Sequence, residues 1–93
     1  MKEIILDLTD CKYLGELHER IRVAFDFPEW YGANWDAFWD FLRSECDAET
    51  LEIIGIDTLL KEFDAQIELM KRVLERFKNN CKKYDGIFEY TIS

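Results

Sequence analysis

Two carboxylates one helical turn apart, Asp36 and Asp40, stand among aromatic residues in the stretch Phe27-Pro28-Glu29-Trp30-Tyr31-Gly32-Ala33-Asn34-Trp35-Asp36-Ala37-Phe38-Trp39-Asp40-Phe41-Leu42. Such a pair could do three kinds of work. As a general acid and base it would have to flank a substrate, as in glycoside hydrolysis, whereas adjacent turns of one exposed helix set the two groups side by side. As a divalent-metal site it lacks a third ligand of suitable spacing. As a charged surface it would attract a cationic partner, and Trp30, Tyr31 and Trp39 beside it are the residue types from which interface hot spots are built. The usual enzyme signatures are absent: there is no phosphate-cradling glycine loop, no GxSxG, no HExxH and no paired-cysteine motif. His18 is the single histidine and lies on an apolar helical stripe, where a packed, hydrogen-bonded ring is expected. The chain therefore reads as a binding protein rather than an enzyme, with no cofactor.

The elements around these residues follow from punctuation and periodicity. Pro28 ends the preceding helix, Gly32 permits a backbone conformation other residues resist, and Asn34 can cap a helix that starts at Trp35. Within that helix, Trp35, Phe38 and Leu42 share one side with Phe41 at its margin, while Asp36, Asp40 and Arg43 share another and Trp39 lies between. Like charges at i and i+4 repel by roughly 0.2–0.5 kcal/mol. Arg43 can pair with Asp40 at i+3, and a cationic partner outside the helix would also relieve the repulsion.

Before this stretch, Ile4, Ile5, Leu6 and Leu8 predict a strand buried on both faces. Thr9 or Asp10 can cap a helix from about Lys12 to Phe25, with Leu14, Leu17, His18, Ile21 and Phe25 as its stripe. After a polar connection over residues 44–50, Leu51–Ile56 predicts a second strand. Asp57 or Thr58 can cap a helical region containing Leu59, Leu60 and Phe63. A longer helix runs from about Ala65 to Asn80, with Ile67, Met70, Val73, Leu74 and Phe77 inward. Tyr84-Asp85-Gly86 predicts a turn and Ile87–Ile92 a last strand. Long helical connections between strands suit parallel crossovers. The expected fold is thus α/β: one domain over residues 1–93, with a small three-stranded parallel sheet and helices packed against it.

Charge narrows the partner. The net charge is −8 over 93 residues. Residues 1–57 carry 14 acidic and five basic side chains, whereas residues 58–93 carry six acidic and seven basic. Nucleic acid, whose phosphates require Lys and Arg, is a poor partner for such a chain. A basic protein is a good one, because complementary fields speed encounter. No apolar run approaches the roughly 20 residues that span a bilayer, and the start, Met1-Lys2-Glu3-Ile4-Ile5-Leu6-Asp7, lacks a signal-peptide apolar region. Cys11, Cys46 and Cys81, odd in number and widely spaced, suit reduced thiols. A cytoplasmic protein, monomeric when free and without membrane attachment, is expected.

Leu17-His18 followed by Pro28-Glu29-Trp30-Tyr31-Gly32-Ala33-Asn34-Trp35-Asp36-Ala37-Phe38-Trp39-Asp40-Phe41-Leu42 resembles the barstar family, intracellular inhibitors of the ribonuclease barnase. The family pattern, LH and then P-x-x-[YF]-G-x-N-[LW]-D-A-[LF]-W-D-x-L, is matched at nearly every fixed position, and the element order agrees over almost the whole length. The resemblance implies an immunity protein or antitoxin that blocks a small basic ribonuclease. It assigns Asp40 to the aspartate that enters the nuclease active site and Asp36 to one that meets the basic surface beside it. Asn34 and Gly32 correspond to loop positions contacting the enzyme, Tyr31 to part of the same loop, and Trp39 to a tryptophan beside the interface. Trp30 stands where the family carries a tyrosine that packs on a catalytic histidine of the nuclease. The family's last long helix contributes a glutamate, and here either Glu75 or Arg76 falls at that place. A module of this fold that binds a non-nuclease protein is the alternative reading.

Overall fold

The computed structural model describes residues 3–45, 48–84 and 86–93. Cys46, Asp47 and Asp85, expected in the polar connection and the last turn, lie outside them. Three strands, β1 (Glu3–Asp7), β2 (Thr50–Ile54) and β3 (Glu89–Ile92), form one sheet in the order β1-β2-β3, and both pairings are parallel. Three helices, α1 (Leu14–Phe25), α2 (Trp35–Glu45) and α3 (Asp64–Lys83), supply the crossovers. The α/β architecture is the one expected.

Register explains where the core lies. Ile4 pairs with Leu51 and Leu51 with Tyr90, while Leu6 pairs with Ile53 and Ile53 with Ile92. These positions share one face of the sheet, and Ile4, Leu6, Leu51 and Ile53 are buried there against the apolar stripes of the helices. The other face presents Glu3, Ile5, Asp7, Glu52, Glu89 and Thr91 to solvent. The expectation of a first strand buried on both faces is therefore corrected: it alternates, and Ile5 is 60% exposed. Parallel strands usually read as continuous apolar runs because helices cover both faces. Here the helices cover one.

The boundaries move for local reasons. Neither Thr9 nor Asp10 caps α1, which starts after Tyr13. The Asp10 N–H instead donates to Thr58 Oγ1 at 2.8 Å, and that hydroxyl donates to the Gly55 carbonyl at 2.7 Å, tying together the chain segments that leave β1 and β2. Gly55 is required at this junction. Its φ is +86°, and a Cβ there would stand 2.4 Å from the Thr9 backbone nitrogen. The region containing Leu59, Leu60 and Phe63 forms two short 3-10 turns, Ile56–Thr58 and Lys61–Phe63, rather than a helix of its own. α3 runs three residues beyond Asn80, to Lys83, and is closed by the Gly86 N–H bonding back to the Cys81 carbonyl at 2.7 Å. β3 begins two residues later than expected: the ladder opens where the Glu89 N–H donates to the Glu49 carbonyl, while Ile87 is exposed and Phe88 packs on Phe77.

Candidate functional site

The path from α1 to α2 presents the candidate residues. α1 ends at Phe25 because Asp26 adopts a left-handed conformation, φ +59°, and its N–H turns back to the last carbonyls of the helix. Pro28 follows, and the Tyr31 N–H donates to its carbonyl at 3.0 Å, closing a turn. Asn34 is the helix cap predicted for it: Oδ1 accepts the Ala37 N–H at 2.7 Å, and Nδ2 donates to the Gly32 carbonyl at 3.1 Å. The left-handed residue of this loop is Ala33, φ +50°, and not Gly32. Gly32 serves by its lack of a side chain, since a Cβ would stand 3.3 Å from both Ala37 Cβ and Asn34 Nδ2. A non-glycine residue in that region costs on the order of 1 kcal/mol. The loop that carries Trp30 is therefore held by its surroundings in a conformation it would not choose alone.

Beneath the loop is a polar contact in an aromatic core. His18 is 2% exposed, and Nδ1 lies 3.0 Å from the Tyr31 hydroxyl, which donates to the Asn34 carbonyl at 3.4 Å. A neutral imidazole with its hydrogen on Nδ1 satisfies both contacts. The ring also lies 4.5 Å from that of Trp35, whose Nε1 donates to Gln66 Oε1 at 2.8 Å and so links α2 to α3. His18 is a packed structural residue, as its place on the stripe predicted. Tyr31 is corrected from a position near solvent to the interior, 7% exposed, because its ring packs against Phe27 and Phe41. Its hydroxyl is pushed well above the usual tyrosine range by burial. Tyr31 supports the loop from below, and its side chain is not offered to a partner in this arrangement.

Burial also lowers the pKa of His18 below its ordinary value. The folded protein then binds fewer protons than the unfolded chain, so stability should hold above about pH 6.5 and decline as pH falls from there toward the depressed value. Thermal unfolding followed at pH 7.5 and 5.5 should show this drop. His18→Gln, neutral throughout, should flatten it; an unchanged slope in that variant would assign the effect to other groups.

The surface above this core carries the remaining residues. Asp36 and Asp40 both point to solvent from α2, and the Asp40 carboxylate accepts from Arg43 Nη2 at 2.8 Å across an exposed pair. Breaking such a pair costs about 0–1 kcal/mol. Asp40 is thus held but readily released to a stronger cation. Trp39 is half-buried, with the Arg43 guanidinium 5.0 Å and the Arg76 guanidinium 4.2 Å from its ring centroid. Trp30 is 76% exposed and rests on Phe41, with ring centroids 5.1 Å apart. Burying an indole that stands so far in water would be favourable for any partner of matching shape.

The structure also separates the two candidates on α3. Glu75 accepts the Tyr90 hydroxyl at 2.6 Å, toward β3, whereas Arg76 reaches the α2 surface. Two contacts escaped the sequence. Nothing in the spacing marked Gln66 as the anchor of Trp35, although it flanks the apolar stripe of α3. The Arg76–Trp39 stack required knowing that α3 lies beside α2.

Among the described residues, surface hollows of about 240 to 340 Å³ are lined by residues other than the candidate site residues, one of them on the open sheet face. Among the described residues no three His, Cys, Asp or Glu side chains gather as a metal site would require. No described helix is long and apolar enough to cross a membrane. Cys11 and Cys81 are free thiols whose pKa values are raised by burial, which makes them poor nucleophiles.

Comparison with known proteins identifies the family. A family model described as "Barstar (barnase inhibitor)" matches residues 1–93. A protein of Bacillus subtilis (strain 168), named "Putative ribonuclease inhibitor YrdF", is 32% identical over 87 residues, which span 88% of this chain and 96% of that protein.

Proposed function

This chain belongs to the barstar family of barnase inhibitors, and from that premise we propose that it inhibits a small basic ribonuclease by covering the active site with α2 and the loop before it. The observation that carries the reading is the exposed Asp36–Asp40 face of α2 flanked by Trp30 and Trp39. A ribonuclease active site is built to hold phosphates and a base. The carboxylates stand in for phosphates and an aromatic ring for a base. Asp40 exchanges Arg43 for the cations of the nuclease, a favourable trade because several cations converge on the one carboxylate and their attraction exceeds the cost of desolvating it. Asp36 meets the basic surface alongside, while Asn34 and the Gly32 backbone contact the enzyme from the loop. Trp30, the most exposed of the three tryptophans, inserts where the family carries tyrosine.

An intracellular immunity or antitoxin role follows: a cell that makes such a nuclease needs it blocked before export. The test is inhibition and affinity against a panel of small basic ribonucleases, barnase included. A dissociation constant well below about 1 μM is expected for at least one, as a specific interface of standard size would give. Association should slow steeply with added salt while dissociation changes little. Failure to bind any such enzyme, together with no rescue of cells expressing one, would leave the fold serving a non-nuclease partner.

A further inference from the structure

We infer that the partner presents a carboxylate to Arg76, so that recognition rests on a mixed rather than a uniformly acidic surface. This rests on the inhibitor reading and names what the target must carry. Arg76 is exposed, and no ion pair joins it to a carboxylate among the described residues. Several other basic side chains are also unpaired in that sense. Arg76 is the most closely held of them: its guanidinium lies 4.2 Å from the Trp39 ring centroid, against 5.8 Å for Lys83 over Tyr84, and only Arg76 is held on α2.

Trp39 thereby places a positive group on the same surface as Asp36 and Asp40. Arg43 approaches the same indole at 5.0 Å and pairs with Asp40 in the free protein, so it adds a second positive group there once Asp40 turns to the nuclease. A nuclease surface that is basic everywhere would meet Arg76 as a like charge, and close like charges at an interface cost several kcal/mol. A basic cleft with a carboxylate at its rim would instead meet Asp40 and Arg76 together. A guanidinium whose Cζ lies over the indole still has N–H groups that can bind a carboxylate bidentately. Specificity among related nucleases then comes from attraction at one lobe and repulsion at the other.

The test uses the ribonuclease of the panel that the full chain binds most tightly. Arg76→Gln should weaken that complex about tenfold and Arg76→Glu more than a hundredfold, chiefly through faster dissociation. Thermal unfolding of both variants should stay close to that of the parent, because the side chain is exposed. One Asp→Asn or Glu→Gln substitution on the rim of the nuclease should make the parent and Arg76→Gln bind equally, which locates the carboxylate. If both Arg76 variants keep their affinity within twofold, or Arg76→Glu binds more tightly, the inference is overturned while the inhibitor reading stands. If the parent chain binds no ribonuclease, both fall.

Discussion

Asp40→Ala is expected to weaken binding to the cognate ribonuclease by at least about 2 kcal/mol, roughly thirtyfold, and by considerably more if the carboxylate becomes fully desolvated. Barstar bound to barnase is itself the standard example of an aspartate hot spot of extreme size, so the upper range is family precedent rather than a consequence of this geometry. The direction does follow from the geometry. In the free protein Asp40 makes one exposed contact, to Arg43, and losing it costs little. In the complex the same carboxylate would answer buried cations, and its removal leaves them unpaired. Asp57→Ala, an exposed acidic change on the first 3-10 turn, serves as control and should shift affinity only slightly through the general field. Titration by calorimetry at two salt concentrations separates the two effects. Equal losses at Asp40 and Asp57 would mean that net charge, not a specific contact, carries the binding.

The fold was legible where burial patterns are strong and one-sided. The stripes of α1, α2 and α3 bury most of the residues their spacing selects, because a 3.6-residue period leaves few ways to hide Leu17, Ile21 and Phe25, or Ile67, Met70 and Leu74, at once; Leu14, at the first position of α1, is instead 42% exposed, and Trp35 and Val73 are half-buried. Element ends were less legible, since they depend on partners remote in sequence. Asp10 does not cap α1 because the helix starts only after Tyr13, and the Asp10 N–H is tied instead to Thr58, 48 residues away. The apolar run Ile4-Ile5-Leu6 could not reveal that no helix would cover Ile5. At the candidate site, the capping role of Asn34 was visible because it is local. The burial of Tyr31 was not, because it depends on Phe41 from α2 and His18 from α1 meeting around it. Gly32 shows a subtler limit: the unusual backbone conformation expected of it belongs to its neighbour Ala33, and Gly32 is marked only by the close side-chain contacts a Cβ would make.

Phe38→Ala should separate the surface that binds from the core that presents it. Phe38 is fully buried in α2 and meets Phe25 and Trp35 edge-to-face, with ring centroids 5.6 and 5.8 Å apart. Truncating such a ring typically costs 3–5 kcal/mol, a large share of the roughly 5–15 kcal/mol that holds a domain folded. The midpoint of chemical unfolding should fall accordingly, whereas Asp40→Ala should leave it within about 1 kcal/mol of the parent. Affinity should show the reverse order. At a temperature where Phe38→Ala remains folded, Asp36 and Asp40 still occupy the opposite side of the helix, and the variant should bind with nearly parental strength. Because a ligand that binds only the folded state stabilises it by RT ln(1 + [L]/Kd), excess nuclease should restore much of the lost stability of Phe38→Ala and little to Asp40→Ala. If Phe38→Ala loses affinity as severely as Asp40→Ala while still folded, recognition depends on the exact set of α2 against the aromatic core, and the aspartate cannot be treated as an independent hot spot.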